Sequence, residues 1–132
     1  MELKFTIPLD PKTKKNKQSI VKLKNGRSII IQSKTYLDYE LKCKKYIPKL
    51  PEPIAHPVEV ECVFYRETKR NVDLTNLQAA ISDILVKYGV LADDCRDIIA
   101  SADGSRVYWD KSNPRTEVTI RDYKGDYTQW KT

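Results

Sequence analysis

Val58-Glu-Val-Glu-Cys-Val-Phe-Tyr65, followed by Asp73-Leu-Thr-Asn-Leu-Gln-Ala-Ala-Ile-Ser-Asp-Ile-Leu-Val-Lys-Tyr-Gly89, is the stretch that decides the fold. In its first half Val58, Val60, Cys62 and Phe64 alternate with Glu59, Glu61, Val63 and Tyr65. A period of two marks a half-buried strand with one mixed face. In its second half Leu74, Leu77, Ile81, Ile84, Leu85 and Tyr88 recur at helical spacing, which predicts a helix over 73–88 with one apolar stripe. Gly89 is placed to end it, because glycine accepts the left-handed backbone that closes a helix. A polar turn, 66–71, joins the two.

Upstream, Leu3 to Ile7 alternates and reads as a short strand, broken by Pro8 and Pro11. Ser19–Leu23 and Arg27–Gln32 are β-rich and flank Asn25-Gly26. Both turn residues tolerate positive φ, so a hairpin is expected. Ser33 is placed to cap a helix over 34–47, and Thr35 with Asp38 adds capping-box spacing that would shift its start by two residues. Leu37, Leu41 and the stem of Lys44 lie along one side of that helix. Pro48, Pro51 and Pro53 make a stiff connector. Downstream, 97–102 and 106–109 read as a strand pair with Asp103-Gly104 at its turn, and 116–121 as a last strand. The expectation is one α+β domain over 1–123, with a mainly antiparallel sheet and two principal helices, followed by a polar tail over 124–132.

A chain of 132 residues can bury a core without a disulfide or a structural metal. No run of roughly 18 apolar residues would span a membrane, and Met1-Glu-Leu-Lys-Phe5 does not read as a signal peptide. Cys43, Cys62 and Cys95 are odd in number and widely spaced, as expected of reduced thiols in a cytoplasmic protein. Net charge is +6, and the excess is local. Between Pro11 and Leu37 there is no acid, yet Lys12, Lys14, Lys15, Lys17, Lys22, Lys24, Arg27 and Lys34 all fall there. Such a block suits a polyanion, because each neutralised phosphate releases condensed counterions. It suits a solvated loop as well.

The carboxylates carry the chemistry. Asp73 opens the long helix, and Asp93-Asp94 follows its end. Each has a plain structural use, as a helix cap and as a polar turn. Together, beside a basic surface, they offer the oxygen ligands that Mg²⁺ takes, one or two carboxylates with water and substrate phosphate. A helix over 73–88 runs roughly 24 Å, so Asp94 reaches Asp73 within one subunit only by a tight antiparallel return. A symmetric dimer is the other route. Extended, Asp93 and Asp94 point to opposite faces, which leaves open which of them binds metal. Asp83, about 15 Å along the helix from Asp73, reads as structural or interfacial. His56 reads as a loop residue. Arg115 suits a phosphate clamp and a carboxylate partner equally. Tyr36 and Tyr39 pack under the hairpin or stack on unpaired bases, and packing is the safer reading.

Pro11-Lys-Thr-Lys-Lys-Asn16, Ser33-Lys-Thr-Tyr36-Leu-Asp-Tyr-Glu40, Asp73-Leu-Thr-Asn76-Leu, Gly89-Val-Leu-Ala-Asp-Asp94 and Asn113-Pro-Arg115 together resemble the RusA-type Holliday-junction resolvases of bacteria and their prophages. The resemblance covers nearly the whole chain. It implies a homodimeric α+β endonuclease that binds four-way DNA junctions in recombination and repair. Such an enzyme cuts with Mg²⁺, or Mn²⁺ in its place, held by aspartates. On this resemblance Asp73 and Asp94 are the catalytic residues, and Asp73, Asp94 and Asp93 are the metal ligands. Lys12, Lys14, Lys15, Lys17, Lys69 and Arg70 are expected on DNA, with Thr75, Asn76 and Arg115 in support. Two positions depart from the family pattern. Thr75 stands where a second aspartate is usual, and Ala79 where a catalytic lysine is usual, for which Lys69 and Arg70 are the nearest substitutes. The alternative is therefore a junction-binding protein impaired in cleavage.

Overall fold

The computed structural model describes residues 1–14, 19–31 and 33–125. Along the chain the elements are β1 (Glu2–Ile7), β2 (Ser19–Lys22), β3 (Ser28–Ile31), α1 (Lys34–Cys43), β4 (Val58–Arg66), α2 (Leu74–Lys87), β5 (Ile99–Ser101), β6 (Arg106–Trp109) and β7 (Arg115–Asp122). This is an α+β fold with two principal helices. Within the described residues no helix is long and apolar enough to cross a membrane. The tail expected over 124–132 lies mostly outside the described residues, from 126 onward.

One five-stranded sheet carries the domain. β1 and β4 flank β7, both antiparallel to it. Its register sets Phe5, Val118 and Cys62 in one row, and Leu3, Ile120 and Val60 in another. These rows form the inner face, over which the helices pack. α2 buries Leu77, Ala80, Ile81, Ile84 and Leu85, the stripe expected from helical spacing. α1 buries Tyr36, Tyr39 and Cys43, while Leu37 and Leu41 stay exposed. The side expected from the leucines is thus not the packed one. The two tyrosines bring larger apolar surface at the same helical spacing, and burial favours the larger area. Both rings join the core, so neither offers a face to a base.

A second correction concerns the 97–109 segment. β5 and β6 do not pair with each other. Both run parallel to β4, with Val58↔Ile99 at one end and Val63↔Arg106 through Arg66↔Trp109 at the other. The Asp103-Gly104 bend, with Gly104 at φ +85, steps the chain along one edge of β4. Pairing to an already registered strand satisfies more backbone groups than a short free hairpin would. β2 and β3 do form the expected hairpin, with Gly26 at φ 83 and Asn25 Oδ1 accepting from the Arg27 amide at 3.0 Å.

The helix ends follow their sequence signals. Ser33 Oγ accepts from the Tyr36 amide at 3.1 Å, so α1 starts at Lys34 and not two residues later. It ends in a 3-10 turn, Lys44–Tyr46, before Pro48. Ser33→Ala is expected to cost about 1 kcal/mol, read as a lowered urea midpoint with an unchanged slope. An unchanged midpoint would contradict the cap. At the end of α2, Gly89 has φ 80. The Val90 amide donates to Leu85 O and the Gly89 amide to Val86 O, closing the helix with a left-handed cap.

Candidate active site at the start of the long helix

Asp73 occupies the N-cap position of α2, yet its side chain makes no capping bond. The Asn76 and Leu77 amides donate to the Asp73 backbone carbonyl. The carboxylate instead accepts from Asn76 Nδ2 at 3.3 Å. It is exposed and opens into a cleft of about 560 Å³ whose lining includes Lys12, Thr35, Arg66, Arg70 and Asn76. Helix geometry thus puts an exposed carboxylate, bonded to the Asn76 side chain and not to the helix backbone, at the positive end of α2, in a concavity lined by three cations and by Asp10 and Glu67.

The cleft is assembled from distant parts of the sequence. Asp10 accepts from Lys12 Nζ at 2.9 Å and from the Glu67 amide at 2.9 Å. This ties the segment after β1 to the turn after β4. Arg66 ends β4, and its Nη1 donates to Arg70 O at 2.8 Å, which shapes the 66–73 turn. Its Nε is buried and has no partner among the described residues. Sequence reading missed Arg66, which sits at a strand end outside every recognisable motif. The signal was there in part, since a cation two residues beyond a core-facing Phe64 must lie on the same face.

The other expected site residues are scattered. Lys14 forms an ion pair with Asp83 and lies 6.0 Å over the Tyr36 ring. Lys15 and Lys17 fall outside the described residues. Lys69 sits over the Trp109 ring at 4.3 Å, while Arg70 lines the cleft. Thr75 is exposed in the first turn of α2. Arg115 is committed to Asp110 at 3.1 Å and Glu117 at 3.0 Å and stacks on Tyr65 at 3.7 Å. Of its two expected uses, the carboxylate partner is the one seen. Cys43 and Cys62 are buried, and burial pushes each thiol up to about 12, which removes them as nucleophiles.

Asp93 and Asp94 lie beyond the end of α2. There the chain is captured by the connector: the Ile54 amide donates to Val90 O and the Ala92 amide to Ile54 O. This pairing sets the path of the return. The carboxylates that act on Asp94 are Asp93 and Asp83. Burial first, then a hydrogen bond from Asp93 and the charges of Asp83 and Asp93, raise the Asp94 carboxyl above its usual range. Asp93 Oδ1 also accepts from the Asp94 amide at 2.7 Å. Asp83 stands ten residues along α2 from Asp73, about 15 Å away. Among the described residues, no three His, Cys, Asp or Glu side chains gather as a metal-holding group.

The comparison with known proteins agrees with the α+β fold. No curated protein matches the chain. The family model described as endodeoxyribonuclease RusA matches residues 8–121, from the segment that supplies Lys12 to the end of the sheet. The chain belongs to the RusA family of endodeoxyribonucleases, enzymes that resolve Holliday junctions.

Proposed function

We propose that this chain is a Mg²⁺-dependent endonuclease that resolves four-way DNA junctions as a homodimer, with Mn²⁺ able to replace Mg²⁺. The observation that carries the proposal is the Asp73 carboxylate, exposed, making no capping bond to the α2 backbone, and facing a cleft with Lys12, Arg66 and Arg70. The donor chemistry fits the metal: Asp73 and Asp94 are exposed carboxylates, and Mg²⁺ needs only one or two of these beside water and phosphate. Asp10, by contrast, is already taken by Lys12 and the Glu67 amide. When bound, the metal would stabilise charge on the phosphodiester and lower the pKa of the attacking water.

The chain's own residues do the rest. Arg66 and Arg70 neutralise and orient the phosphate beside Asp73, as fixed cations do for a charged transition state, while Lys12 is held on Asp10 at 2.9 Å at the cleft wall. Arg70 and Arg66 share the cleft with Asp73, whereas Lys69 does not line it, so these two arginines are the better replacements for the lysine that Ala79 lacks. Asn76 holds the Asp73 carboxylate in place through its amide. A two-fold partner matches the symmetry of the junction. It also gives Asp94, whose carboxyl feels the charge of Asp83 within its own subunit, a route to the other subunit's Asp73. Exposed Ile20 and Val21 on the hairpin and Leu41 on α1 are apolar surface for such a pairing.

A mobile four-way junction incubated with purified protein and Mg²⁺ should acquire paired nicks placed symmetrically about the crossover. EDTA should stop cleavage and leave binding intact, and Mn²⁺ should restore the cuts. Thr75 and Ala79 favour a second reading, a junction binder that does not cut. Binding without nicks under either ion would establish it and remove the first.

A further inference from the structure

Trp109 is half exposed at 50%, an unusual place for an indole in a fold with a well-filled core. It pairs in register with Arg66, so it lies on the helix-bearing face of the sheet, one row beyond Phe64 and Val107. That row is where the core stops and the Asp73 cleft begins. The indole is held: its Nε1 donates to Glu67 O at 3.1 Å, and both Arg66 and Glu67 line the cleft. Lys69 lies over the ring at 4.3 Å. Neither Lys69 nor the ring is needed to fill the interior.

We propose that Trp109, with Lys69 beside it, is a stacking site for one unpaired DNA base at the rim of the Asp73 cleft. This deepens the nuclease reading and rests on it. A ring anchored through its N–H keeps its plane fixed, so little order is lost when a base lies on it. A cation beside an aromatic face is the arrangement by which single strands are held, with the charge on the backbone and the ring on the base. Base stacking is the stronger contact, and an exposed lysine–indole contact is the weaker, so an incoming base displaces the ammonium toward the phosphate that follows it. Duplex bases have both faces covered by neighbours, whereas bases at a branch point do not. The site therefore distinguishes branched DNA from plain duplex without reading sequence.

β6 is an edge strand, paired only with β4 among the described residues. On its opposite face Tyr108 continues the same chemistry: it stacks on Tyr65 at 5.5 Å between Arg106 and Arg115. There Arg115 is held by two carboxylates and serves the protein. Lys69, over Trp109, has no carboxylate within ion-pair distance among the described residues.

The test uses the full chain in EDTA and a single-stranded thymine oligomer carrying one 2-aminopurine. Wild type should quench the probe. Trp109→Ala should bind the oligomer about ten-fold more weakly, the size of one lost base–aromatic contact, and Trp109→Phe should stay within about three-fold. Duplex affinity should change less than about two-fold in both, since backbone contacts are retained. In a Trp130→Phe background, where Trp109 is the one remaining tryptophan, the plain oligomer should quench its fluorescence. Equal oligomer binding by Trp109→Ala overturns the site, as does an equal loss on duplex. Conversion of a dimer to monomer by Trp109→Ala also overturns it, because the face would then be covered by a second copy. Wild type that binds junctions without quenching sinks the stacking site alone. Wild type that binds no DNA removes the nuclease reading as well.

Discussion

Asp73→Asn is expected to lower the single-turnover rate of junction cleavage roughly 10³-fold, because losing a metal-holding carboxylate forfeits several kcal/mol of transition-state charge stabilisation. The fold should tolerate the change. The bonds that start α2 run to the Asp73 backbone carbonyl, and its side chain makes no capping bond to lose. An asparagine keeps an oxygen for Asn76 Nδ2 to reach. What disappears is one negative charge at the positive end of a helix, worth about 0.3–1 kcal/mol at an exposed position. Junction affinity in EDTA should hold or rise, since the cleft keeps Lys12, Arg66 and Arg70 and loses a charge that repels phosphate. Anisotropy with a labelled junction and a thermal melt separate these effects. A variant cutting within about ten-fold of wild type would show that Asp73 holds no metal. Lost binding together with a lower melting temperature would show instead that it serves the fold.

The largest effect on stability is expected from Phe64→Ala, about 3–5 kcal/mol. Phe64 is 1% exposed and sits in the central strand between Thr116 of β7 and Val107 of β6. It is closed in by a registered sheet on two sides, so its neighbours cannot collapse into the space. Against a total of about 5–15 kcal/mol for a domain, that loss leaves little margin. Urea unfolding should show a much lower midpoint with the slope retained. Arg66 and Trp109 are the next pair along the same face, so cleavage should weaken in the variant even where it stays folded. A loss under about 1 kcal/mol would mean that this row does not bear on the core.

The periodic elements were legible because period is local. Val58 to Tyr65 could bury one face only as a strand, and Leu74 to Tyr88 only as a helix. Ser33 marked the start of α1, and its hydroxyl is on the Tyr36 amide. The hairpin at Asn25-Gly26 was equally local. At Asp103-Gly104 the same kind of signal misled. A turn dipeptide says that the chain bends, and it does not say which edge the next strand joins. The open edge of β4 decided that, by offering parallel partners to β5 and β6 in turn. In α1 the leucine spacing pointed to one face, and the two tyrosines took the other into the core.

Residue order alone therefore determined the α+β class, the two helices, the hairpin, and Asp73 at the mouth of α2, since each follows from spacing within a dozen residues. Tertiary structure decided what surrounds that aspartate. Lys12 is brought to it by Asp10 reaching the Glu67 amide, Arg66 by strand register, and Asp94 is set in the field of Asp83 by the capture of Val90 and Ala92 on Ile54. These are contacts between segments far apart in the chain, and long-range contacts are fixed by which backbone and apolar groups remain to be satisfied once the sheet has formed.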